Sequence, residues 1–181
     1  MPQTNIASPA YTQLVPFSEL SLGQAANIRN NIIQRLITQA STTLSVSPDK
    51  LVVRDIRALG DLGYTYEDWR ETTGATVNAY ETMTTGSMGD EKWVGIYGVM
   101  ADVDTFSCTA IKFNVGGGDR AIWQLQCLKP EDDMVGLCPS GVIIPQNTIY
   151  TISRYVRSIN STTRLVLKGV LVEPRGLLIS P

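Results

Sequence analysis

The stretch Gly141–Gly176, GVIIPQNTIYTISRYVRSINSTTRLVLKGVLVEPRG, limits what this chain can fold into more than any other. It reads as a short strand, a Pro-Gln-Asn turn, a long strand, a polar turn and a second long strand. Val, Ile, Thr and Tyr dominate both long runs, and β-branched and aromatic side chains suit a pleated, half-buried surface. The turn Ile159-Asn160-Ser161-Thr162-Thr163 is short and polar, which predicts that the two long strands pair as an antiparallel hairpin. Such a ribbon closes a β-sandwich, and nothing in it has the pattern of a catalytic site.

Strand-like runs also fill the chain upstream. Leu51–Arg57 is dense in β-branched residues and reads as a first strand, with a helix capped by Ser47 and opened by Pro48 as the alternative. Ala75–Thr84 is weakly strand-like, and Thr85–Asp90 reads as a flexible loop. Trp93–Met100 is apolar on both faces. Cys108–Val115 alternates, with Thr109, Ile111, Phe113 and Val115 inward and Lys112 and Asn114 outward. Arg120–Leu128 alternates too, and Gly116-Gly117-Gly118-Asp119 between them can use positive φ in a hairpin turn. Lys129–Ser140 reads as an acid-tipped loop.

Residues 1–17, with Pro2, Pro9 and Pro16, predict an extended arm. Ser21 and Gln24 offer the two halves of a capping box. Behind them Ala25, Ile28, Ile32, Leu36 and Ala26, Ile33, Ile37, Ala40 recur at helical spacing, opposite an amide-rich face. This helix packs either on its own sandwich or on a neighbour. The whole predicts a mainly β chain: an eight-stranded antiparallel jelly-roll-like sandwich preceded by an arm and one amphipathic helix. An immunoglobulin-like sandwich is the second choice. The organisation expected is arm and helix over 1–49, sandwich over 50–176 and a tail over 177–181.

An antiparallel sheet needs only one apolar face. Trp93–Met100 has two, and so does the last strand, with Val166, Val170 and Val172 against Leu165, Leu167 and Leu171. The first predicts cover by helix, arm or neighbour, and the second predicts a sheet covered by another chain. Charge is uneven as well. From Asp61 to Glu91 seven acids face Arg70 alone, net −6, and from Tyr150 to Gly176 five bases face Glu173, net +4. These segments meet either between copies, where they fix register, or inside one subunit.

Several chemistries are disfavoured. The chain has no histidine, the commonest general base and metal ligand, and its three cysteines, Cys108, Cys127 and Cys138, show no CxxC spacing. No apolar run approaches the ~20 residues of a membrane helix. A net charge of −2 gives no field that recruits nucleic acid. The loop carboxylates Asp102, Asp104, Glu131, Asp132 and Asp133 could offer oxygen ligands but lack a calcium-loop pattern. Tyr64, Tyr66, Trp69 and Trp93 either plug a sandwich end or form a platform for a sugar ring. No cofactor and no catalytic residue is expected.

Leu51-Val52-Val53-Arg54-Asp55-Ile56-Arg57 with Asp61-Leu62-Gly63, and Ile143-Ile144-Pro145-Gln146-Asn147 with Leu167–Gly176, resemble small virion structural proteins of tailed bacteriophages. The resemblance covers about residues 50–176. It implies a non-enzymatic capsid decoration (cement) protein, with a neck, vertex or fibre-base component as the alternative. A carbohydrate-binding jelly-roll module is the reading from a different class. The implied partners are further copies of the chain and the major capsid protein or other virion proteins, in a virion assembled in the host cytoplasm. Neither membrane nor direct nucleic-acid contact is implied. The residues expected at interfaces are Ile28, Ile32, Leu36, Arg54, Arg57, Trp93, Tyr97, Arg154, Arg157 and Lys168.

Overall fold

The structure, a computed structural model, describes residues 11–12, 14–101, 107–128 and 134–176. The first ten residues of the expected arm, the carboxylates Asp102, Asp104 and Glu131–Asp133, and the tail 177–181 lie outside the described residues.

The N-terminal helix forms where its cap is written. α1 (Leu22–Leu44) starts at Ser21, whose Oγ accepts from Gln24 N at 3.2 Å while Gln24 Oε1 accepts from Ser21 N at 2.8 Å. Both halves of the capping box are therefore closed. The helix ends at Ser45, which takes a left-handed conformation. A single 3-10 turn, Pro48–Lys50, replaces the alternative second helix and leads into β3 (Leu51–Asp55).

Eleven strands are present among the described residues. Besides β3 they are β1 (Tyr11–Thr12), β2 (Val15–Pro16), β4 (Arg70–Thr72), β5 (Ala79–Ser87), β6 (Trp93–Ala101), β7 (Cys108–Val115), β8 (Gly118–Gln124), β9 (Val135–Ile144), β10 (Ile149–Val156) and β11 (Thr162–Pro174). A short helix, α2 (Ala58–Leu62), follows β3. One sheet has the order β1-β8-β7-β10-β5, and the other β2-β9-β6-β11-β3, with β4 beside the start of β11. Every pairing is antiparallel except the two-residue β1/β8 contact. The chain is thus mainly β with antiparallel sheets.

β7 and β8 form the expected hairpin. Val115 pairs with Gly118, and Gly116 and Gly117 between them both have positive φ, as a tight two-residue turn requires. The ribbon that opened the sequence reading behaves differently. β10 and β11 do not pair with each other; they belong to opposite sheets. Both flanks of each are taken, β10 by β5 and β7, β11 by β6 and β3. The connection between them is bound to buried Thr73 instead of closing on itself. Thr73 Oγ1 donates to Ser158 O at 2.8 Å and accepts from Ser161 N at 2.9 Å, and Asn160 N donates to Thr73 O at 3.1 Å.

Three boundaries also depart from expectation. β5 runs through Gly86 to Ser87, because Gly86 lies under the Tyr150 ring where a Cβ would stand 2.9 Å from its hydroxyl. β9 begins at Val135, with Gly136 packed against Leu14 and Leu128, so part of the expected loop is strand. Beyond Gln124 the chain turns as a 3-10 helix, Leu125–Cys127, and does not continue the strand.

Phe113, Trp123, Ile111, Val94, Ile96, Val99, Leu165, Leu167 and Leu171 lie in the buried core cluster shared by the two sheets. A second cluster joins Ile32, Leu36 and Ala40 of α1 to Leu51, Trp93, Val170 and Val172. β6 and β11 therefore carry apolar residues on both faces because they lie between two cores. The cover over their outer face is α1 of the same chain, so their composition gives no argument for a second chain there.

The fit of α1 depends on Gly95. A Cβ there would overlap Ile32 Cγ2 and stand 2.9 Å from Leu36 Cδ1. Overpacking of this kind costs typically about 1–3 kcal/mol. Gly95→Val is expected to lower stability by that amount in urea unfolding and to raise amide exchange in α1.

Candidate functional site

α1 covers only part of the outer face of its sheet. Beside its N-terminal half, Phe17, Ala25, Ala26, Val135, Leu137 and the Tyr97 ring wall a groove of about 410 Å³, with Arg29 and Lys168 as its charged groups. A second hollow of about 250 Å³ shares Arg29, Tyr97 and Lys168 and adds Asp55, Ile56, Trp69, Val166 and Gly169. Leu22 lies on the same helical stripe as Ala25, Ala26 and Arg29 and is 79% exposed.

The two cations differ. Arg29 Nη2 lies 3.1 Å from Asp55 Oδ1, and this hydrogen bond raises the guanidinium pKa further. Lys168 has no ion-pair partner among the described residues. It stands at a bulge where the β6/β11 register shifts between Lys168 and Gly169. Burial pushes the Tyr97 hydroxyl pKa up, and the neighbouring Arg29 partly offsets that. Apolar walls, an ammonium and a phenol are groups for recognition. Among the described residues no group of three or more His, Cys, Asp or Glu side chains is gathered as a metal site would need.

The residues expected at interfaces divide into three groups. Ile28, Ile32, Leu36 and Trp93 are buried within the chain, the last three in the α1–sheet cluster, so they are corrected from interface to core. Arg54 and Arg154 are used in ion pairs inside the subunit. Arg54 is bidentate on Asp61 at 2.6 and 2.7 Å and reaches Glu173 at 3.0 Å. Arg154 binds Glu81 at 2.9 Å, and Arg164 of the basic ribbon lies 3.6 Å from Asp68. Acidic and basic segments thus meet within one chain. Arg57 and Arg157 remain exposed, the former 3.7 Å from Asp61 and the latter 3.3 Å from Asn78 Oδ1. Only Tyr97 and Lys168 reach the groove. Sequence reading missed Phe17, Leu22, Arg29, Val135 and Leu137. The i, i+3, i+4, i+7 stripe Leu22-Ala25-Ala26-Arg29 was the signal that could have found the helical side of the groove.

The aromatic platform does not form. Tyr64 and Trp69 are buried edge-to-face at 5.0 Å, and Trp93 lies under α1. Tyr66 alone is exposed, with the Arg70 guanidinium 5.2 Å from its ring centre. The three cysteines are free, Cys108 and Cys138 buried.

The Arg54 cluster gives the chain an acid-sensitive element. Burial by itself would raise the Asp61 carboxyl, but Arg54, the Arg57 backbone N–H and the two positive charges hold it below its usual value. A depressed carboxyl contributes stability that is present above its unfolded pKa of about 3.9 and lost as pH falls through the folded value. Glu71 has the opposite sign: burial raises its pKa, so its penalty disappears on acidification. Urea midpoints measured from about pH 5 down to about pH 2 are expected to fall less steeply in Asp61→Asn than in the wild type. Parallel curves would rule out the Asp61 contribution.

No helix among the described residues is long and apolar enough to cross a membrane. Neither a protein-family model nor a curated protein sequence matches the chain.

Proposed function

We propose that this chain is a non-enzymatic virion structural protein of jelly-roll type, acting as a capsid decoration protein that stabilises the shell through subunit contacts. The observation that carries the reading is the nested strand pairing. Take the eight strands of five or more residues in chain order: β3, β5, β6, β7, β8, β9, β10 and β11. The first pairs with the last, the second with the seventh, the third with the sixth and the fourth with the fifth. A single antiparallel ribbon wrapped into two four-stranded sheets gives this nest, and viral shells, lectins and cupins use it.

Fold alone does not choose among these uses. The four aromatics of the sugar-platform reading are three buried and one stacked on arginine. A chain without histidine lacks the usual ligands of a cupin metal. The groove beside α1, with exposed Leu22 at the helix start, is a surface that association would bury.

A second copy of the chain is the occupant that charge favours. Lys168 in the groove lacks a partner among the described residues, and Glu67 on the acidic segment is exposed. Closed rings or trimers are the common form of such self-association. Light scattering at micromolar concentration tests this. The wild type is expected to show the mass of a closed oligomer and Leu22→Asp that of a monomer. A wild type that stays strictly monomeric would remove the self-association part of the proposal.

A further inference from the structure

A separate cavity of about 510 Å³ lies against the C-terminal half of α1, at the β7–β8 hairpin end of the sandwich. Its polar groups come from three places: Arg35 and Gln39 one turn apart on α1, Arg120 at the start of β8, and Thr148 after the β9–β10 turn. Ile143 and Pro145 supply apolar wall, and no carboxylate lines it. This site does not touch the groove and does not depend on the virion reading.

Both guanidiniums are held in place by backbone carbonyls. Arg35 Nη1 donates to Ser140 O at 2.5 Å, and Arg120 Nε donates to Val115 O at 3.3 Å. Each arginine has five N–H donors in a fixed fork, so most remain for a ligand. Neither has an ion pair among the described residues. Asp119, next to Arg120 in sequence, is engaged by the Asn114 amide at 3.0 Å and the Lys112 ammonium at 3.8 Å. Two like charges lining one cavity repel each other unless an anion lies between them.

We propose that this cavity binds a phosphate monoester. The phosphate group sits between Arg35 and Arg120, and the organic body lies on Ile143 and Pro145. Arginine forks match phosphate oxygens in bidentate fashion, and the cavity is far larger than one phosphate group. The apolar wall is what selects an ester over the free ion.

Calorimetric titration of the full chain with phenyl phosphate, inorganic phosphate and citrate, at matched ionic strength, tests the assignment. Phenyl phosphate is expected to bind, and to bind more tightly than either inorganic phosphate or citrate. Arg35→Gln and Arg120→Gln are each expected to weaken it roughly tenfold, the usual loss for a charge-assisted hydrogen bond. Arg157→Gln, at an exposed arginine elsewhere, should leave it unchanged. No saturable binding of phenyl phosphate would overturn the proposal, as would equal weakening by Arg157→Gln or no weakening by Arg35→Gln and Arg120→Gln. Inorganic phosphate binding as tightly as the ester would overturn the ester assignment, and citrate binding more tightly would reassign the site to carboxylates. Thermal melts of each variant without ligand separate lost binding from lost folding.

Discussion

Arg154→Met is expected to lower the stability of this protein by about 3–5 kcal/mol, the usual cost of removing one partner from a buried ion pair. Arg154 is 2% exposed and sits at one end of β10. Its guanidinium donates to Glu81 Oε2 at 2.9 and 3.2 Å, to Thr72 O at 2.7 Å and to Thr163 Oγ1 at 3.1 Å. One side chain therefore ties β10 and β5 of one sheet to β11 of the other and to β4 beside it. Methionine fills similar volume but leaves the Glu81 carboxylate, among the described residues, with only the Gly74 N–H, at 2.7 Å. Glu81 keeps about a third of its side chain in water, so the loss is shared between its carboxylate and the Thr72 and Thr163 oxygens that lose their donor. A double variant, Arg154→Met with Glu81→Leu, should recover part of it. Chemical denaturation of the two single variants and the double supplies the cycle. A single-variant loss below about 1 kcal/mol would place Arg154 among ordinary surface charges.

Leu36→Ala is the second large effect, expected at about 2–5 kcal/mol for a fully buried leucine. Leu36 is completely enclosed, in one cluster with Ile32, Trp93, Val170 and Val172. Truncating it opens a cavity between α1 and the sheet. Hydrogen exchange should show the loss in a particular place. Amides of α1, β6 and β11 are expected to exchange faster, while β7 and β8 in the other sheet change less. A loss spread evenly over both sheets would mean that the helix and sandwich unfold only together.

Much of this architecture was legible from local patterns. Ser21 and Gln24 marked the start of α1, and the two series Ala25, Ile28, Ile32, Leu36 and Ala26, Ile33, Ile37, Ala40 contained its buried residues Ile28, Ile32, Leu36 and Ala40. Alternation in Cys108–Val115 and the three glycines after it gave a strand and its turn. The double greasiness of β6 and β11 was read as a demand for cover; for β6 helix, arm or neighbour stayed open, whereas for β11 another chain was expected and α1 of the same chain takes that place. That depends on α1 folding back onto a sheet whose strands come from distant parts of the chain. The same distance hid the division of β10 and β11 between sheets, since a polar turn looks alike whether it closes a hairpin or crosses a sandwich. Thr73, which holds that crossing, lies 88 positions from Ser161. Gly86 and Gly136 read as loop residues because the large side chains they admit, Tyr150 and Leu128, lie elsewhere in the sequence. The groove was only half visible: Tyr97 and Lys168 were chosen, whereas Phe17, Val135 and Leu137 reach it through tertiary packing alone.

The proposal of a virion role is tested most directly by composition. Virus particles would be purified from the source of this sequence and the chain quantified by mass spectrometry against the major shell protein. A decoration role predicts co-purification at a copy number comparable to that of the shell protein. Absence of the chain from intact particles would contradict it, and a few copies per particle would point to a neck or vertex instead.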